Sequence, residues 1–231
     1  MSRKKGKLIV IDGLDGSGKK TQLDLLVKYC REKRIKTISV DFPQYYKTFF
    51  GRLVGRYLNG EFGDVGETSP YLTALTFAGD RWQAKSNMLK ALKQGKLLLA
   101  NRYTSSSAAF MAGKFKSKTK QDRFIDWIYK LEQEIYGCPR EDFVIYLSVP
   151  VDVGRKLVIK KGKRKYTGKK QKMDIHERNL VYMNRVRQIY LRMIKRRNNW
   201  LFVNCMKGRE LLSPEEIHEI ILSILKDKKI L

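Results

Sequence analysis

The chain has 231 residues, 42% of them hydrophobic, enough for one α/β domain that buries about 70% of its unfolded surface, with a small insertion and no required second domain. Its net charge of +26, from 49 basic and 23 acidic side chains, attracts anions of any kind, whether nucleotides, nucleic acid or acidic membranes. Three scattered cysteines and two histidines give neither a disulfide framework nor a metal-ligand spacing, the apolar runs are strand-sized, and Met1-Ser-Arg-Lys-Lys-Gly lacks a signal peptide's apolar core, so a cytoplasmic protein is expected.

The first apolar run, over 7–12, reads as a strand and passes into Gly13-Leu14-Asp15-Gly16-Ser17-Gly18-Lys19-Lys20-Thr21, which opens a helical pattern over 19–34. Glycines at 13, 16 and 18 let backbone N–H groups turn inward on polyphosphate oxygens, the helix N-terminus adds partial positive charge, and Lys19 can reach the β- and γ-phosphates. A nucleoside triphosphate is the expected ligand. The Ser or Thr whose hydroxyl binds Mg²⁺ in such loops is replaced by Lys20, and Thr21 is turned by about 100° around the helix.

Further strands are expected over 36–41, 96–101, 142–148 and 200–205. Helical patterns cover 70–93, 118–136, 174–197 and 213–228, with shorter ones near 47–58, 104–112 and 151–160. Ser69-Pro70 supplies a cap and first helical residue, Gly95 a stop, and Ser213-Pro-Glu-Glu216 a capping box. The alternation predicts βαβ units: a three-layer fold of the P-loop NTPase type, with a five-stranded parallel sheet and helices on both faces. Arg155 to Lys172 contains ten basic residues and no acidic one. Within it, about 160–173 breaks the helical pattern with Gly162 and Gly168 and reads as a mobile basic loop between two helices, able to close over phosphate, in a single domain spanning 1–231.

Four segments in order resemble the thymidylate (dTMP) kinase family: Gly13-Leu-Asp-Gly-Ser-Gly-Lys19, Asp41-Phe42-Pro43, Phe77-Ala-Gly-Asp-Arg81-Trp82, and Asn101-Arg102-Tyr-Thr-Ser-Ser106-Ser-Ala-Ala-Phe110. The resemblance covers nearly the whole chain and is nearer the branch with Phe-Pro after the second strand. It implies an ATP-dependent dTMP kinase with Mg²⁺ as companion ion, its protein ligands left open, and a homodimer formed through helices. Residues 13–21 then hold ATP. Phe77 and Arg81, four apart on a predicted helix, share a face on which a ring stacks on a base while a guanidinium donates to its carbonyl; by resemblance this is the thymine site.

Arg102, at the carboxyl edge of the sheet where open α/β folds place ligands, corresponds to the residue gripping the phosphates between donor and acceptor. Asp15 corresponds to the acid near the 3′-hydroxyl and acceptor phosphate, and Phe110 to an aromatic that crowds out a 2′-hydroxyl. Phe42, Pro43 and Ser106 fall in the same acceptor segments. Arg52 is a candidate for the acceptor phosphate, with Lys47 and Arg56 as competitors. Arg164 is the candidate lid cation. Lys19, Arg102, Asp15 and Arg164 form the expected catalytic set. Three residues depart from the family's pattern: Lys20, Asn101 in place of Asp, and Met111 where some members carry a polar residue. A kinase for another deoxynucleoside or its monophosphate stays open, as does a weakly catalytic nucleotide- or nucleic-acid-binding homologue; the latter is disfavoured because the aromatics do not alternate with the basic run.

Overall fold

The computed structural model describes residues 5–161 and 173–231. Five parallel strands, β1 (Leu8–Gly13), β2 (Thr37–Asp41), β3 (Leu97–Asn101), β4 (Phe143–Ser148) and β5 (Trp200–Asn204), form one sheet in the order β2-β3-β1-β4-β5. The inner strands are apolar almost throughout because both faces are covered. Leu8 and Val10 of β1, with Leu98, Ala100, Val144 and Tyr146, face one core; Ile9, Ile11, Leu99, Ile145 and Leu147 face the other. Register places Asn101 level with both Ile11 and Asp41. The carboxyl ends of β1, β2 and β3 therefore open side by side, under the loop that follows β1.

Helices α1 (Lys19–Glu32) and α8 (Pro214–Asp227) cover the second core. Helices α2 (Phe49–Leu58), α3 (Pro70–Lys93), α4 (Thr104–Ala112), α5 (Lys118–Lys130) and α7 (Leu180–Arg196) cover the first. Helix α6 (Val151–Lys161) follows β4, and its Gly154 lies flat against the phosphate loop. A Cβ on Gly154 would sit 2.6 Å from the Asp15 carbonyl oxygen, and one on Gly16, at φ +80°, would collide with the Gly154 carbonyl. This close approach requires glycine on both sides.

Two helical readings need correction. The pattern over 118–136 is an α-helix only to Lys130 and continues as a π-helical turn, Leu131–Ile135. The pattern over 174–197 begins at Leu180, because the Asn179 side chain accepts from Tyr182 N at 3.0 Å and caps the helix there. Before it, the Asp174 carboxylate accepts from the backbones of His176 (2.9 Å) and Glu177 (3.0 Å) and holds a turn, a local bond that competes with helix. The short hairpin β6 (Met206–Lys207) and β7 (Glu210–Leu211) carried no sequence signal.

Candidate functional site

A cleft of about 550 Å³ runs along the carboxyl edge of the sheet. At one end Asp15 to Thr21 of the loop meet Leu211, Leu212, Pro214 and Ile217; at the other are Phe42, Pro43, Phe77, Arg81, Ser106, Ser107, Phe110 and Met111. Asp41, Asn101 and Arg102 lie between them.

The loop has the geometry of an anion cradle. Gly18, at φ 84°, is the N-cap of α1 and offers no side chain to that helix's first turn, so the backbone donors there are available to an anion. Lys19 is only 7% exposed, and its ammonium donates to the Leu14 carbonyl at 2.7 Å. Gly13 and Leu14, expected among the ATP contacts, lie beneath the cleft: Leu14 packs in the core, and the Asp12 carboxylate accepts from Gly13 N at 2.8 Å. Asp12, which the motif reading passed over, is fully buried. It also accepts from Ser105 (2.6 Å), Ser106 (2.7 Å) and Tyr190 (2.8 Å), tying the loop's root to α4 and α7. Lys20, also at the cleft, donates to Asp24 one turn along the exposed face of α1.

Arg102 has φ 63°, a left-handed backbone that residues with a Cβ rarely adopt. Its guanidinium donates to Asp15 Oδ1 at 2.6 Å and lies 5.1 Å from the Phe110 ring centroid. Burial opposes its charge, but Asp15 together with Tyr190, Asp12 and Tyr45 outweighs that and keeps its pKa above the ordinary arginine value. Asn101 donates to Asp41 Oδ1 at 2.7 Å, and its own Oδ1 is buried with no hydrogen-bond partner among the described residues.

On α3, Phe77 and Arg81 both line the cleft, as their spacing predicts. The Phe77 and Tyr57 rings meet edge to face, their centroids 6.1 Å apart. Arg81 is 2% exposed and donates from Nε and Nη2 to the two Glu132 oxygens at 2.5 and 2.6 Å, and from Nη2 to Ser107 Oγ at 2.7 Å. Its carboxylate partner is fully buried and stands 51 residues away in the chain. Asp80, next in the chain, accepts from Gln44 N at 2.8 Å and from the Thr48 hydroxyl, which pins the Phe42-Pro43 loop to α3.

Arg52 is not brought to the cleft. Helix α2 turns Gly51, Val54, Gly55, Tyr57 and Leu58 inward, which leaves Arg52 on the exposed side; Lys47 and Arg56 are exposed as well. Tyr45 lines the cleft from this loop. The other addition is His176, 4% exposed, whose ring lies 5.4 Å from that of Phe110 at 28° and whose Nε2 is 2.9 Å from Tyr57 Oη. Burial pushes its pKa down to about 3, so it is neutral near pH 7. Its one sequence cue was its position just after the basic run. Arg164 and most of the expected lid, 162–172, lie outside the described residues.

Among the described residues no helix is long and apolar enough to cross a membrane, and no cluster of three His, Cys, Asp or Glu is arranged to hold a metal. The family model for thymidylate kinase matches residues 11–217. A probable thymidylate kinase of Pyrococcus abyssi is 30% identical over 224 residues, covering 96% of this chain and 97% of the relative. The thymidylate kinase of Plasmodium falciparum is 33% identical over 149 residues, 64% of each chain. Among solved structures, thymidylate kinase from Candida albicans superposes with a TM-score of 0.73 at 23% identity, over 98% of this chain and 93% of that one, a likeness of fold. The chain belongs to the thymidylate kinase family.

Proposed function

We propose that this protein transfers the γ-phosphoryl group of ATP to dTMP, giving ADP and dTDP. The observation that carries this reading is the single continuous cleft, with a phosphate loop at one end and the Phe77–Arg81 pair at the other. Phosphoryl transfer asks little covalent chemistry of the protein; positioning and charge do most of the work. Lys19 and the loop amides hold the donor's phosphates. Arg102, oriented by Asp15, neutralises charge on the transferring group, and Arg164 adds to it from the lid. Phe77 and Arg81 hold the base, Phe42, Pro43 and Ser106 line the acceptor's end, and Phe110 backed by His176 forms a wall against the sugar. The apolar group Leu211, Leu212, Pro214 and Ile217 suits the donor's adenine.

Mg²⁺ is expected with ATP, and the residues present fit a hydrated ion: Asn101 and Asp41 both line the cleft, the Asn101 oxygen is buried there with no partner among the described residues, and Mg²⁺ favours oxygen ligands and keeps several waters. When bound, the ion supplies positive charge to the polyphosphate; Asn101 and Asp41 would hold its waters. A homodimer through helices is part of the proposal, supported by the exposed Leu72, Trp82 and Leu89 of α3 and by Ile135.

A coupled ADP-release assay with dTMP, dUMP and dCMP, with and without Mg²⁺, tests the activity. dTMP is expected to be preferred, with visible turnover of dUMP, since one methyl group is worth only about 1–3 kcal/mol in a pocket. Preference for CMP or AMP would refute the base assignment.

A further inference from the structure

Glu132 has no exposed surface, and the chemistry described so far leaves it unused. It stands on the π-helical turn Leu131–Ile135, a helix form that often marks functional positions. The Cys138 N–H donates to its backbone carbonyl at 2.8 Å. Its carboxylate takes Arg81 Nε and Nη2 as a two-pronged fork, and Thr104 Oγ1 donates to Oε2 at 2.8 Å. With Ser107 on Nη2, the guanidinium is held from α4 and the π turn while its own stem comes from α3. Nε and Nη2 are committed, and among the described residues Nη1 is left for a ligand in the cleft that Arg81 lines.

We propose that Glu132 is a positioning residue that fixes Arg81 as a donor-only reader of the acceptor's base, favouring a base edge with a carbonyl oxygen over one with an amino group. This rests on the reading of the cleft as a dTMP site. A guanidinium carries five N–H donors and no acceptor, so the base edge facing Nη1 has to accept. The fork fixes the plane of the group, so it cannot swing aside for cytosine, whose amino group would set donor against donor. Without the carboxylate, the guanidinium is free to turn and its charge is left buried without compensation.

Glu132→Gln keeps the shape and removes the charge. In steady-state assays it is expected to raise KM for dTMP about tenfold or more, to leave KM for ATP and kcat little changed, and to narrow the preference for dTMP over dCMP by a similar factor. Thr104→Val removes one bond to the same carboxylate; it should shift the values in the same direction by less, and it serves if the glutamine variant does not fold. In an Arg81→Met background, Glu132→Gln should produce no further change in base preference. Folded variants that keep the wild-type KM and base preference would overturn the proposal. So would equal losses toward ATP and dTMP accompanied by a lower Tm, the signature of a merely structural ion pair. Wild-type protein that neither phosphorylates dTMP nor binds it in calorimetry would instead overturn the dTMP reading, and this proposal with it.

Discussion

Arg102 adopts a backbone conformation that costs of order 1–3 kcal/mol for a non-glycine residue, and the contacts that hold it there describe its work. Its N–H donates to Ile11 O at 3.0 Å, and the guanidinium is turned onto Asp15. It therefore stands between the loop and Phe110 before any ligand arrives. Arg102→Ala is expected to lower kcat by about 10²–10³-fold, as for loss of one preorganised charge donor, with Tm measured alongside to separate chemistry from folding. Two buried groups make stability depend on pH in opposite senses. His176 has its pKa lowered from 6.5 to about 3 by burial, so below pH 6.5 the unfolded chain binds the extra proton and stability falls as pH drops toward 3. Glu141, chiefly through burial, has its pKa raised from 4.5 to about 7, so its contribution is complete below pH 4.5 and is lost as pH rises through 7. Thermal unfolding across pH should show His176→Phe flattening the acid slope. Glu141→Gln should abolish the loss on the alkaline side.

At the scale of elements, the contact between α6 and the phosphate loop is the most exacting. Gly154 has no room for a side chain against the Asp15 carbonyl, so Gly154→Ala is expected to push the loop out of register and raise KM for ATP more than KM for dTMP. Steady-state titration of each substrate checks this. The strands were legible because a sheet covered on both faces needs near-continuous apolar runs, and each predicted strand agrees with the observed one to within a residue at either end. The helices were less so. Periodicity runs smoothly through 131–135, although the backbone widens there to a π turn, and through 174–179, where the Asp174 carboxylate bonds to the backbone instead. Both lapses hid residues at the site: Glu132 in the first, His176 in the second. Local motifs could reveal the loop by its glycines, and Phe77, Arg81 and Arg102 through the segments that resemble the family. Partners joined across 51 residues, as Arg81 and Glu132 are, have no local signature. Choosing among Arg52, Lys47 and Arg56 was beyond the sequence, because it requires knowing which side of α2 faces the core.

For the molecule as a whole, +26 is a large charge for 231 residues, and its consequence is kinetic more than structural. The cations lining the described part of the cleft are Lys19, Lys20, Arg81 and Arg102. Arg81 and Arg102 are paired with carboxylates, and Lys20 is bonded to Asp24. Among the described residues the rest of the excess lies outside the cleft and acts on ATP and dTMP from a distance, by drawing anions toward the protein. Such attraction works through solvent and is screened over about 8–10 Å at ordinary ionic strength. Raising salt should therefore lower kcat/KM for both substrates while leaving kcat nearly constant, because contacts made within the cleft are desolvated and less screened. The same titration separates a kinase from a nucleic-acid binder. Single-stranded DNA held mainly by phosphate contacts loses affinity steeply and log-linearly with salt, and would compete with dTMP at low salt if the basic surface led strands to the cleft. Absence of such competition, together with a salt-insensitive kcat, is the outcome expected of an enzyme whose surplus charge gathers mononucleotides; a kcat that falls in parallel with kcat/KM would place the charge effect in the transfer step itself.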